Sequence, residues 1–454
     1  MKKEANESSQ KEIEIQKKKS LNYSLKDGTA ASIDSNIQAT YLPQFALALN
    51  SSSFQIGLMS AFSGILSPLA QLIGDKLIES HSRKKIIIVF NTLQAILLIL
   101  MAILAFGFGK NLLQNSSVYI LISLYILLTI FAGIAYSPWF SLIGDLVPKN
   151  EKGKFFSKRN IILTLAGLVI IPFGLALDSI ETAGYLMLGF AIIFTISSIA
   201  RTISVYFINK HYEPKFKLKK GYYFSIFEFV KRFDNVGKFA VYYALFNLAL
   251  MLASPFFAVY MKQELHFNYL QITIISLASS IFYILFSPLI GKISDKYGNI
   301  KLLYVSTVLF ALNPLLWLIS NSFWSITLIP QLVTGLANAA MGISVGNFIF
   351  NMTKQEHRAL CITYLNILAG IGTFLGSIIG GLILKFLPSE VMINPFVAIF
   401  IISALARFAV ARGLVRKLKE DEDNIKPIPS IKIDFLHPIK TLSSEIQLIK
   451  KIAH

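Results

Sequence analysis

A chain of 454 residues that is 54% hydrophobic and only 15% charged, with a mean hydropathy of +0.60, carries too little polar surface to cover a water-facing globule. A soluble multidomain enzyme is excluded on that ground. The formal net charge of +18, from 43 Lys and Arg against 25 Asp and Glu, would suggest nucleic acid in a soluble protein, so the placement of those charges decides the class.

Residues 1–27 hold seven Lys, four Glu and one Asp without an apolar run long enough for a signal-peptide core, and read as a solvated cytoplasmic tail. From residue 28 onward apolar runs of about 20 residues recur, the length a helix needs to cross a bilayer. Twelve spans are expected: 28–48, 55–75, 86–107, 117–142, 161–178, 183–208, 237–260, 269–291, 300–320, 324–350, 362–385 and 391–412. Runs such as Ile86 to Phe106 lack the alternation of a barrel strand, so the fold class is an all-α membrane protein. The lone Cys361 cannot form an internal disulfide and reads as a small core residue.

The spans sort the charges. The segments on the side of residue 1 carry 39 Lys and Arg; the opposite segments carry only Lys110, Lys262 and Lys385, and Arg201 lies within a span. This is the positive-inside pattern of a multi-pass protein of the cell membrane with both termini cytoplasmic, and it removes nucleic acid from the partners. Anionic lipid is the expected partner of the basic cytoplasmic segments.

Internal repetition follows the spans. Ser67-Pro68-Leu69-Ala70-Gln71-Leu72-Ile73-Gly74-Asp75-Lys76 agrees at six of ten positions with Ser287-Pro288-Leu289-Ile290-Gly291-Lys292-Ile293-Ser294-Asp295-Lys296. In the sixth and twelfth spans Phe190, Ile193, Phe194, Ile196, Ser197, Ala200 and Arg201 recur as Phe396, Ile399, Phe400, Ile402, Ser403, Ala406 and Arg407. Two parallel six-span halves, 28–208 and 237–412, are therefore expected, joined by a basic cytoplasmic linker 209–236 and followed by a cytoplasmic tail 413–454. Arg201 and Arg407 fall within snorkelling reach of the interface and read as pseudo-symmetric anchors.

The loop after the eighth span, Gly291-Lys292-Ile293-Ser294-Asp295-Lys296-Tyr297-Gly298-Asn299-Ile300-Lys301, resembles the signature G-x-x-x-D-x-x-G-x-x-[KR] of the major facilitator superfamily. The first-half counterpart keeps Asp75, replaces the two glycines by Gln71 and Ile78, and places Arg83-Lys84-Lys85 about one helical turn late. The family's Arg of the fourth helix is missing from 117–142, and Pro172 and Gly174 do not have the spacing of its drug antiporters. The resemblance implies two six-helix halves that rock about a central site, with Asp75, Arg83, Gly291, Asp295, Gly298 and Lys301 as a gating latch. The glycines would let helix ends approach closely, and the acids would pair with cations or helix-end N–H groups. The charged loops Val147 to Lys154 and Thr353 to Arg358 read as a matching cytoplasmic pair.

Polar residues inside spans point to a transport path. In the first span Asp34, Gln38 and Tyr41 share one face, and Asp34 lies about 9 Å from the cytoplasmic edge. It is either a proton or cation site or a structural acid near the gate. The resemblance places the first, fourth, seventh and tenth helices around the cavity, where Tyr136 and Trp139, Tyr243, Asn247 and Ser254, and Gln331, Thr334 and Asn338 supply polar and aromatic faces. Gly372, Gly376, Gly380 and Gly381 in the eleventh form a packing ladder.

These residues favour a secondary transporter, expected as a monomer, that moves a small neutral or amphipathic organic solute with proton or cation coupling. A membrane-embedded lipid-modifying enzyme is the second reading and a polytopic sensor or scaffold the third. All six His fall in loops or tails and no P-loop is present, so no catalytic residue, metal site or cofactor is expected.

Overall fold

The computed structural model describes residues 2–148, 151–214, 235–352, 358–387, 394–415 and 418, and every regular element among them is helical. Most of the expected linker, the loop residues 149–150 and 353–357 and most of the tail 413–454 lie outside the described residues. Twelve helical segments cover the expected spans: α1 (Lys2–Ala48), α2 (Ser53–Leu77), α3 (Arg83–Gly109), α4 (Ser117–Leu146), α5 (Lys152–Thr182) and α6 (Leu186–Asn209) in one half. The other half holds α7 (Asn235–Gln263), α8 (Tyr269–Tyr297), α9 (Asn299–Ile319), α10 (Phe323–Met352), α11 (Arg358–Phe386) and α12 (Pro395–Gly413). Eleven are apolar and long enough to cross a bilayer by composition alone; α1, which carries Asp34, Asn36, Gln38 and Gln44, is not among them.

Two helices are broken. α5 tightens into a 3-10 turn at Leu168–Ile170, just before Pro172, and α7 breaks after Met251 into a 3-10 turn at Ser254–Phe256. Pro172 and Pro255 have no N–H to continue the ladder.

The repeat seen in the sequence is present in three dimensions. Within the first half α3 packs on α6, α2 on α4, α1 on α6, α3 on α4 and α1 on α5; in the second half α9 packs on α12, α8 on α10, α7 on α12, α9 on α10 and α7 on α11. Each pair has its counterpart six helices later. The starts of α2 and α8 match as well: Ser52 with Gln55, and Asn268 with Gln271, form capping boxes that satisfy the first N–H groups.

The halves meet toward one side of the bundle, opposite to the basic side on which α1 begins. There α2 packs on α11 and α5 on α8. A Cβ at Gly57 would lie 2.9 Å from the Ser377 carbonyl, and one at Gly174 would lie 2.8 Å from the Leu270 Cα, so both crossings require glycine. The largest apolar cluster spans this seam and draws Tyr41, Phe45 and Phe190 from the first half and Phe256, Tyr269 and Phe400 from the second. Toward the basic side the clusters belong to one half each: Ile87, Leu142 and Ile208 in the first, and Phe239, Leu303 and Phe348 in the second.

The tail expected to be solvated at 1–27 divides in the structure: residues 12–19 are almost all exposed, whereas from Ser20 onward the helix packs against the protein. α1 is helical from Lys2, and Ser20, Ser24 and Asp27 are buried, with Ser20 Oγ accepting from Tyr212 N at 2.8 Å. Small side chains at 20 and 24 let the helix lie against the end of α6, so polarity there serves contact rather than solvation.

The glycine ladder of α11 packs on α7: a Cβ at Gly372, Gly376 or Gly380 would clash with the carbonyl of Ala244, Leu248 or Leu252. Gly291, by contrast, has open space around it, so the close approach expected of this signature glycine does not occur. Gly298 does need glycine, because the turn between α8 and α9 holds it at φ 90°. Gly376→Leu is expected to cost about 3 kcal/mol through overpacking, whereas Gly291→Ala stays within about 0.5 kcal/mol. Thermal unfolding of the detergent-solubilised variants measures both.

Candidate functional site

The polar face of α1 is divided among three environments. The Asp34 carboxylate is fully buried between α1 and α6, where Oδ1 accepts from Gln38 Nε2 at 2.7 Å and from Ser197 Oγ, and Oδ2 pairs with Arg201. Gln38, one turn further along, reaches a central cavity and links it to that pair. Tyr41 turns elsewhere: its hydroxyl donates to Ile170 O at the 3-10 turn of α5 (2.9 Å) and accepts from Thr273 of α8 (3.0 Å). It belongs to the seam between the halves and not to the cavity wall.

The central cavity measures about 410 Å³, within the range that encloses a drug-sized solute. Of the residues expected there, Gln38, Ser254, Gln331 and Thr334 line it. Thr334 is held by Asn313, whose Nδ2 donates to Thr334 Oγ1 at 2.7 Å and to Pro330 O at 2.9 Å. Ser60, Tyr125 and Ser276 add hydroxyls, and Phe257 stacks on Trp317 at 4.7 Å as an aromatic wall.

The remaining expected residues lie apart. Asn247 turns back on its own helix, donating to Tyr243 O at 2.7 Å, and the Tyr243 ring stacks on Phe239; neither lines the cavity. Asn338 is exposed midway along α10 and does not line the cavity. Tyr136 and Trp139 line a second, smaller cavity of about 220 Å³ within the first half, together with Asp27, Asn91, Arg159 and Arg201. There the Arg159 guanidinium lies 4.7 Å over the Trp139 ring and 3.6 Å from Asp27, and Asp27 faces His211 at 3.6 Å. Burial pushes the His211 imidazole below its ordinary value, and Nδ1 donates to the Phe207 and Ile208 carbonyls, leaving Nε2 toward Asp27.

The loop residues form two different ties. Asp75 accepts from Ser137 of α4, and Arg83, fully buried, reaches Asp145 Oδ2 at 2.7 Å, Ser141 Oγ at 2.9 Å and Pro214 O at 3.1 Å. Arg83 thus fastens α3 to the end of α4 and to the segment after α6. In the second half Ser294 donates to Asn299 Oδ1 at 2.7 Å, and Asn347 of α10 joins both. Lys301 is exposed in the first turn of α9, and the side chain of Asp295 lies outside the described residues. Sequence reasoning missed Asn347, since a neutral amide in a span carries no signal of its partner.

The snorkelling expected of Arg201 and Arg407 is not observed. Arg201 is paired with Asp34, and Arg407 is fully buried on the cavity wall, donating to the carbonyls of Phe310 (2.7 Å), Leu250 (2.9 Å) and Ala249 (3.5 Å). The turn that breaks α7 leaves these last two carbonyls to side-chain donors, and a helix C-terminus attracts a cation. An Arg inside a span, with no acid in the span it packs against, was the signal available in the sequence. Among the described residues no group of His, Cys, Asp or Glu is arranged to hold a metal ion.

Two pseudo-symmetric six-helix halves around a central cavity in a bilayer-spanning bundle define a polytopic membrane protein of transporter architecture. The sequence profile of the Major Facilitator Superfamily matches residues 28–246 and again 239–447, and the chain belongs to that superfamily. It is 29% identical over 100 residues to the class H tetracycline resistance protein of Pasteurella multocida, 22% of this chain but only 24% of that protein. It is 22% identical over 396 residues to a homologue of the multi-drug resistance efflux pump PmrA from Lactococcus lactis subsp. lactis (strain IL1403), covering 83% of this chain and 91% of that one. Among solved structures the nucleoside transporter NupG superposes with a TM-score of 0.64 at 17% identity, over 88% of this chain and all of that one, a likeness of fold. The chain is a multi-pass membrane protein of a transporter superfamily.

Asp34→Asn, which leaves Arg201 without its counter-charge, is expected to cost about 3 kcal/mol. The double variant Asp34→Asn/Arg201→Gln recovers most of that loss, as read by thermal unfolding in detergent.

Proposed function

We propose that the chain is a secondary transporter working by alternating access, that its basic side faces the cytoplasm, and that the conformation described is open to the cytoplasm. The observation that carries this reading is the distribution of apolar packing: one cluster shared by both halves on the far side, separate clusters on the basic side, and the central cavity between them. The far-side closure is made of contacts that can break and re-form. Asp178 of α5 accepts from the first N–H groups of α8, Tyr269 at 2.7 Å and Leu270 at 3.1 Å, Lys262 faces Glu181 at 3.8 Å, and Tyr41 bridges to Thr273. The carboxylate satisfies helix-end donors that would otherwise need water.

The cargo is a small amphipathic organic solute, since the cavity pairs hydroxyls and amides with the Phe257 and Trp317 wall. Relatives named for tetracycline and multidrug resistance favour outward movement. Asp34 is the group assigned to proton coupling, because Gln38 connects it to the cavity. A proton taken up or released when a cavity ligand is added, read with a pH dye in unbuffered solution, should vanish in Asp34→Asn/Arg201→Gln.

Thiol labelling tests the alternation. With Cys361 replaced by Ala, Asn338→Cys in vesicles of known orientation should react with a membrane-impermeant maleimide from the basic side. Adding Asp178→Ala weakens the far-side closure by about 1–2 kcal/mol, so labelling of Asn338→Cys should slow while Gln331→Cys becomes reactive from the far side. Equal labelling in both backgrounds would sink the reading.

A further inference from the structure

Among the described residues Arg407 is the one charged side chain on the wall of the central cavity, and no Asp or Glu lines it. Its twin in the first half, Arg201, is neutralised by Asp34, and each Arg follows a buried serine at the same spacing, Ser197 and Ser403. The serines differ in the same way as the arginines: Ser197 donates to Asp34, whereas Ser403 donates to Ala249 O at 2.7 Å. Among the described residues no carboxylate lies within ion-pair distance of Arg407. Its three hydrogen bonds go to backbone carbonyls and use three of the five N–H groups a guanidinium carries.

A cation buried at this depth without a counter-ion is costly, and such residues face a pathway or a ligand. The carbonyls at the broken end of α7 offset part of that cost, hold the guanidinium at the cavity wall and leave it a net positive charge. Nearby stand the stacked Phe257 and Trp317 rings, and Phe310, whose carbonyl is one of the three acceptors. A planar, delocalised cation with unspent donors beside aromatic rings matches an oxyanion attached to an apolar or aromatic body. We infer that the cavity binds amphipathic organic anions and that Arg407 is the residue that recognises their carboxylate or phosphate group. The inference rests on the transporter reading and narrows its cargo.

The test uses the full chain in nanodiscs of uncharged lipid at pH 8, with benzoate, phenyl phosphate and benzamide as probes and apparent melting temperature as the first readout. Benzoate or phenyl phosphate should stabilise the wild type with an affinity at least roughly tenfold above that of benzamide, and the stronger of the two identifies the headgroup. In Arg407→Gln the preference for acid over amide should fall to about one. Arg407→Lys guards against a variant that fails to fold: it keeps the charge but not the fork, and should keep the order of the probes with roughly tenfold weaker binding. Stabilisation by benzamide equal to that by the acids, no stabilisation by either acid, or an unchanged affinity in Arg407→Lys overturns the inference. The Asn338→Cys labelling above separates the two readings: labelling that depends on Asp178 without acid preference removes Arg407 as the anion group alone, and labelling that does not depend on it removes the transporter reading beneath it.

Discussion

Water does not reach the middle of a bilayer, so a backbone group uncovered by a break in a helix must find its partner inside the protein. The partners recruited at the two breaks organise this molecule. At the turn of α5 the Ile170 carbonyl takes the Tyr41 hydroxyl, which also meets Thr273, so a local irregularity becomes a tie between halves. At the turn of α7 the Ala249 and Leu250 carbonyls take Ser403, Ser254 and Arg407, and a charged side chain is held at mid-membrane. One break ties the two halves together; the other places a cation on the wall of the cavity.

The two halves share a pattern of packing and differ in how they settle their buried charges. α6 and α12 present the same serine and arginine at the same spacing. α1 answers with a carboxylate and α7 answers with freed carbonyls, so one site is neutral and the other cationic. A symmetric scaffold thereby carries an asymmetric field, the distinction a transporter needs if one half is to handle the coupling ion and the other the cargo.

The architecture was legible in the sequence because span length, charge asymmetry and internal repetition are properties of the chain itself. The spans at 55–75 and 86–107 lie inside α2 and α3, and the six matching residues around Ser67 and Ser287 correspond to α2 and α8. The wall of the cavity was legible only in part. Gln331 and Thr334 were found from helical spacing, but the same spacing also selected Asn247, which folds back on Tyr243, and Tyr41, which joins the seam. Periodicity identifies a face; it does not say which neighbour that face meets. Arg201 and Arg407 illustrate the limit most clearly, since identical surroundings in sequence gave them one reading while α1 and α7 gave them two fates. The loop signature behaved likewise: its Gly298 is demanded by the backbone, whereas nothing crowds Gly291.

The unbroken course of α1 has a mechanical consequence. Its 47 residues make a helix of about 70 Å, more than twice the hydrocarbon thickness of a bilayer of about 30 Å. About half of this rod therefore stands clear of the membrane on the basic side, rigidly continuous with the helix that carries Asp34 and Gln38. A tilt of about 10° in that helix would sweep the tip of a 30 Å overhang through about 5 Å. The outer part of α1 is thus one continuous helix with the segment that carries Asp34 and Gln38, so any rotation of that segment is larger at its outer end.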